Sequence, residues 1–229
     1  MKFIGKLKTS EYVLWAISSL VVIISFFISN TGSWLNLVAS LVGVAALIFI
    51  AKGYPICHVC FIVFAVLYGI ISYDLSYYGE MITYLGMSLP VSIISLLSWL
   101  KHPFKEGSAE VSVRRINKKQ VITTFALTIV VTVIFYFILK ALNTANLIVS
   151  TISVATSFTA AYLSFLRSPY YALGYVANDV VLIVLWLLAT IQDISYLSVT
   201  VCFTVFLVND TYGFISWQRM ERRQNSECN

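Results

Sequence analysis

Charge is scarce in this chain. Only 11% of its 229 residues are Asp, Glu, Lys or Arg, whereas 59% are hydrophobic. An ordinary soluble domain carries about 25% charged residues, so that class is excluded. Histidine is scarcer still: His58 and His102 lie near the ends of hydrophobic stretches, which leaves no mid-span Ser–His pair for an intramembrane serine protease. No lysine sits at the middle of a stretch to carry a retinal Schiff base. An arginine ladder and a potassium-filter sequence are also missing, so voltage sensing and potassium conduction are excluded. There are four cysteines. Cys57-His58-Val59-Cys60 has CxxC spacing, but a metal site needs further ligands. Small thiols packed in a helix are the expected reading, with no metal and no cofactor.

What the chain does have is eight hydrophobic stretches, near 11–29, 32–51, 54–72, 78–100, 120–141, 145–166, 169–190 and 194–217. Most can cross a hydrocarbon core of about 30 Å at about 1.5 Å per helical residue. Threaded in order, they leave Lys2, Lys6, Lys8, Lys52, Lys101, Lys105, Arg114, Arg115, Lys118, Lys119, Arg167, Arg219, Arg222 and Arg223 on one side. Only Lys140 lies opposite. Basic residues beside spans stay cytoplasmic, so both termini are expected on the cytoplasmic side of the membrane. This distribution accounts for the net charge of +5. Anionic lipid is then the natural neighbour, and no nucleic acid is expected. The first span follows Lys8, lacks a small-x-small cleavage site and is expected to be retained. Asn209-Asp210-Thr211 falls inside the last span and is not a glycosylation site.

The two halves share punctuation. One stretch runs from Asn36 to Lys52-Gly53-Tyr54-Pro55, and another from Asn146 to Arg167-Ser168-Pro169-Tyr170. Ser98-Trp99 and Ser216-Trp217 each close a later span ahead of basic residues. A three-span unit repeated directly would come out inverted, and the fifth span restores its direction. The expected fold is therefore all-α and integral to the membrane, with two parallel three-helix repeats joined by a linker helix. The expected divisions are a cytoplasmic N-terminus with an extra helix (1–31), a first repeat (32–100), a loop with linker helix (101–144), a second repeat (145–217) and a cytoplasmic tail (218–229). Parallel repeats place a substrate site between the halves near mid-membrane. The basic loop 101–119 reads as a solvated tether.

Polar residues inside spans are costly in lipid and therefore informative. Asp179 lies at the middle of the seventh span beside Asn178, with no Lys or Arg at its depth. At 100° per residue, Tyr171, Tyr175, Asp179, Leu182 and Trp186 share one stripe. Cys202, Phe206, Asp210, Gly213 and Trp217 form another, with Asn209 adjacent, and Tyr84, Ser88, Ser92, Ser95 and Trp99 a third. Trp99 and Trp217, near span ends, read as interfacial anchors. The serines suit either a cavity or close helix packing. Together with Tyr68, the expected substrate-binding residues are Tyr84, Ser88, Ser92, Tyr175, Asn178, Asp179, Trp186, Asn209 and Asp210. Aromatic faces and a carboxylate suit a ring cation, and amides and carboxylates suit ribose hydroxyls. Few cationic groups are available for a phosphate. An intramembrane enzyme using Asp179 and Asp210 as an aspartyl pair is the alternative outside transport.

Lys52-Gly53, Tyr77-Tyr78-Gly79-Glu80, Ser98-Trp99 and the closing run Asn209-Asp210-Thr211-Tyr212-Gly213-Phe214-Ile215-Ser216-Trp217 resemble the PnuC family of bacterial vitamin-precursor transporters over almost the whole chain. The resemblance implies a SWEET-like architecture, carriage of nicotinamide riboside by facilitated diffusion, trapping by a cytoplasmic kinase, and a homo-oligomer, a trimer. Where nicotinamide riboside carriers have two tryptophans and an asparagine, this chain has Ala172, Tyr175 and Asp179. Tyr84 stands where a glutamine is often found. A nucleoside or deoxynucleoside, or another vitamin such as thiamine or riboflavin, would also fit those changes.

Overall fold

The computed structural model describes residues 2–29, 34–74 and 78–228. Among them are eight helices long and apolar enough to cross a membrane, so this is a multi-pass membrane protein. Helix α1 spans Thr9–Ser29, α2 Trp34–Ala51 and α3 Ile56–Asp74. The fourth span is built from α4 (Tyr78–Thr83), a π-helical turn (Tyr84–Ser88) and α5 (Leu89–Leu100). Then follow α6 (Lys118–Ala141), α7 (Leu147–Phe165), α8 (Tyr171–Gln192) and α9 (Leu197–Cys228). The expected stretches coincide with these helices to within a few residues, except that the last runs on through the expected tail, from 218 to Cys228. Of the residues carrying the family likeness, Tyr77 lies outside the described residues.

The π turn has a local cause. Pro90 has no N–H to give the carbonyl four residues back, and its ring crowds that carbonyl. The Leu89 N–H instead bonds to Tyr84 O, five residues back, and the helix widens by one residue. Such turns recur at functional sites, and this one lies on the central cavity described below. At the start of α6, Asn117 and Gln120 form a reciprocal capping box.

Six elements close a ring. Helices α2, α3, α5, α7, α8 and α9 pack in that order, and α9 returns to α2. Outside it, α1 rests on α2 and α9, and α6 rests on α7. Helix α6 leaves Ile122, Phe125, Val130 and Phe137 exposed, as a lipid-facing helix requires. The α7–α8 seam depends on Gly174: a Cβ there would come within 2.8 Å of Ala160 Cα and 2.9 Å of Ala160 Cβ. Small residues permit such close approach in membranes. Gly174→Val is expected to cost about 1–3 kcal/mol, read as a lower melting temperature in detergent.

Two tryptophans cross-link the ring. Trp99 at the end of α5 donates its Nε1–H to Ser164 O on α7 (2.8 Å), and Trp217 on α9 donates to Ile50 O on α2 (2.7 Å). Both side chains are fully buried, and their rings are 5.5 Å apart. They are therefore not interfacial anchors. Each indole satisfies its N–H on a neighbouring helix's terminal carbonyl, which a lipid-facing ring could not do.

Nor is the loop after α5 a solvated tether. Ala109 and Val111 are buried. Val111 N–H bonds to Gly53 O and Arg114 N–H to Arg167 O, both at 3.0 Å. Gly53 (φ +66°) and Arg167 (φ +60°) are left-handed corners that end α2 and α7. Gln224, on the extension of α9, donates to Val111 O (3.0 Å) and accepts from Val113 N–H (2.8 Å). The loop is thus a strap over the basic end of the ring, held where its backbone groups find partners. Its ion pairs to α9, Arg223–Glu110, Arg115–Glu221 and Lys105–Glu227, are exposed on at least one side and contribute little individually. Gln224→Ala removes both strap bonds and is expected to cost about 1–3 kcal/mol, measured by thermal unfolding.

Candidate functional site

The ring encloses a cavity of about 100 Å³ at mid-span, with Tyr84, Ser88, Ser92, Tyr175, Asn178, Asp179 and Asp210 on its wall. Three elements supply them: the π turn and α5, α8, and α9. Seven of the ten expected site residues are therefore brought together. Phe206, on the stripe of Asp210, lines the cavity too, whereas sequence spacing alone does not identify Glu80, Phe61, Phe64, Ser153 and Ser157, which are also on the wall. Glu80 carried a signal, being a carboxyl inside a span. Phe61 and Phe64 carried none, since the chain has 15 phenylalanines.

Its aromatic wall is layered. Phe61 and Tyr175 stack at 6.2 Å with 23° between planes. Tyr84 meets Phe64 edge-on at 5.9 Å, and Tyr68 lies behind it, 5.1 Å from Tyr84 and 4.6 Å from Phe64. Tyr68 thus backs the wall without lining it. Gly43 on α2 allows Phe64 and Phe206 to approach: a Cβ there would fall 2.5 Å from Phe206 and 2.9 Å from Phe64.

The polar groups are sorted by their partners. Asn178 Oδ1 accepts from Ser153 Oγ (3.2 Å) and Thr156 Oγ1 (3.0 Å), so α7 holds its carbonyl end and its NH₂ remains as a donor. The Asp179 and Asp210 carboxyl groups lie in hydrogen-bonding contact with each other. Asp179 Oδ2 has no partner among the described residues, and Asp179 is only 3% exposed. Asn209 turns away: its Nδ2 donates to Ser18 Oγ on α1 (2.9 Å) and to Val205 O (2.8 Å). It fastens α1 to the ring. Adjacent helical positions differ by 100°, and a neighbour of Asp210 need not share its face.

Toward the end away from the strap lies a second, larger cavity of about 300 Å³, lined by Trp186, Tyr196, Asn143, Asn146 and Gln192 among others. Trp186 belongs to this outer vestibule, 5.6 Å from Tyr196, and not to the central cavity. Glu80 lines both cavities and so lies where they adjoin.

Toward the basic end the ring is plugged. Tyr171, Trp99 and Trp217 are each fully buried. Trp217 contacts Tyr171 at 4.9 Å, and His58 packs edge-on against Trp99 at 4.5 Å. Cys57, from the CxxC run, is buried in the same core, and Cys60 is half-buried. Beyond the plug, Lys52 pairs with the buried Glu11 at 3.0 Å, and Arg167 donates to Ser112 Oγ at 2.7 Å. Burial, then the charge of Arg114, lowers the Arg167 guanidinium from its ordinary value.

A helical ring around a polar, aromatic-walled cavity, sealed at one end and adjoining a vestibule at the other, defines a membrane transporter for a small solute. The profile of the nicotinamide mononucleotide transporter family matches residues 33–219, and the chain belongs to that family. It is similar to the nicotinamide riboside transporter PnuC of Neisseria mucosa, 27% identical over 93% of this chain and 83% of that protein. The nicotinamide riboside transporter PnuC of Haemophilus influenzae is 22% identical over 98% of this chain and 96% of that one. A crystal structure of the vitamin B3 transporter PnuC matches with a TM-score of 0.82 at 25% identity, covering 96% of this chain and 95% of that one. The expected family and the transport class both hold, and the aspartyl-enzyme alternative gives way to them.

Proposed function

We propose that the protein carries nicotinamide riboside, as the riboside and not as its phosphate. One observation carries this: Glu80, Asp179 and Asp210 line the central cavity, and no Lys or Arg does so among the described residues. A phosphate entering that cavity would find carboxyl groups and no cationic side chain to neutralise it. A pyridinium ring instead finds Phe61, Tyr84 and Tyr175 faces and a carboxyl, and ribose hydroxyls find Asn178, Ser88 and Ser92. The names of the curated relatives support the riboside. Competition binding to purified protein tests the choice: unlabelled riboside is expected to displace labelled riboside at least a hundredfold more effectively than the mononucleotide does. Equal displacement contradicts it.

The same reading includes two parallel three-helix units, with α6 as linker. The crossed bonds Trp99–Ser164 and Trp217–Ile50, each joining the last helix of one unit to the first helix of the other, support it. It places the strap and both termini in the cytoplasm of a bacterial inner membrane, as the basic residues around the strap require. With the same pH on both sides movement is downhill, with uptake completed by a cytoplasmic kinase. The protein acts as a homotrimer, which cross-linking in native membranes would test.

A further inference from the structure

Two carboxyl groups in hydrogen-bonding contact, enclosed by helices, pose a charge problem. Asp179 and Asp210 contact each other on the cavity wall, 3% and 2% exposed. A hydrogen bond between carboxyl groups needs a proton on at least one of them. Two ionised carboxylates at that spacing repel strongly, and in an enclosed site either charge is costly without a partner.

Among the described residues no basic side chain lines the cavity. The charged or titratable groups around the pair are Glu80 from α4, Tyr84 from the π turn, Cys57 from α3, Tyr171 and Tyr175 from α8, and Cys202 from α9. From α2 and α7 the lining residues are Leu47, Ser153, Ser157 and Ala161, which carry no charge. Phenols and thiols bear no positive charge in any state, and Glu80 adds to the negative side. The nearest basic residues, Lys52 and Arg167, lie beyond the aromatic plug and bond to Glu11 and Ser112. Meanwhile Asp179 Oδ2 is buried, unpartnered and on the cavity wall.

We propose that the Asp179–Asp210 pair exchanges one proton for one ring cation: neutral while the cavity is empty, singly ionised while an aromatic cation occupies it. This rests on the cationic ring in the function proposed above. When the cation enters, one carboxyl O–H bond breaks and its proton leaves to solvent. The second proton stays between the two carboxyl groups. The freed charge on the Asp179 side faces the ring, so the pair and its occupant together carry no net charge before or after. An amide at position 179 could bind the ring face and ribose but could not make this exchange.

The sign follows from competition. Below the pH at which the pair gives up its first proton, each fall of one pH unit weakens the cation about tenfold, and above that pH the affinity is flat. A neutral ring releases no proton and shows no such slope. The test is calorimetry on the full-length protein in buffers of different ionisation enthalpy, across a pH series. The probes are nicotinamide riboside, N-methylnicotinamide (the ring cation without ribose) and neutral nicotinamide. One proton released per cation bound is expected, with none for nicotinamide. Asp179→Asn and Asp210→Asn are each expected to abolish the release. Infrared difference spectra should show a protonated-carboxyl band lost on cation binding and missing from both Asn variants.

Riboside binding with pH-independent affinity and no proton release overturns the inference and leaves the riboside assignment standing. Proton release with N-methylnicotinamide but no riboside binding does the reverse. Release that persists in both Asn variants, or no binding of either cation at any pH, overturns the inference.

Discussion

Asp179→Leu should reduce uptake of nicotinamide riboside by about a hundredfold or more while the protein still reaches the membrane. The substitution keeps the branched outline at Cγ and removes the buried, unpartnered Oδ2 on the cavity wall. Removing one member of a buried hydrogen-bonded charged contact costs about 2–5 kcal/mol, and here that loss falls on the bound cation. The fold should tolerate the change, because leucine suits an enclosed, aromatic-lined position better than a lone carboxyl does. Loss of transport with an unchanged melting temperature is the expected pair of results. Transport near the wild-type level would remove Asp179 from the site.

Alanine at both Trp99 and Trp217 should have the larger effect on stability. Each deletion of a fully buried indole costs about 3–5 kcal/mol and removes a helix-to-helix hydrogen bond, to Ser164 O or Ile50 O. The two rings touch, so their effects should not add, and the double variant should lose less than the sum of the singles. A double-mutant cycle of melting temperatures in detergent measures this. Surviving double variants should also leak solute, because the plug at the basic end would be gone. Two small, additive losses would mean that the tryptophans merely sit near each other.

Helix positions were legible because lipid imposes a simple rule: a span must be apolar and about 20 residues long. Asp179 stood out by the same rule, as a carboxyl where carboxyls are expensive. Its contact with Asp210 was not legible. The stripes on α8 and α9 place each residue on a face, but which faces meet depends on how the helices rotate against each other. Asn209 and Trp186 illustrate the two errors this allows. Asn209 is one residue from Asp210 and points to α1 instead of the cavity. Trp186 shares the stripe of Asp179 but lies two turns further along the helix, in the vestibule.

The strap was hidden for a different reason. Its many basic residues dominate the composition of the loop, while the residues that dock it, Ala109 and Val111, are few. Its partner Gln224 lies more than a hundred residues later in sequence. The π turn was foreshadowed by Pro90, yet a proline in a membrane helix can also kink it, so the outcome was not fixed by the residue alone.

The most direct test of the account is uptake of labelled nicotinamide riboside into liposomes containing the purified protein, at the same pH on both sides. The account predicts saturable entry that stops when inside and outside concentrations are equal. It also predicts that unlabelled riboside blocks entry, that the mononucleotide does not, and that Asp179→Leu abolishes it. Entry no faster than into protein-free liposomes, or equal block by the mononucleotide, would contradict it.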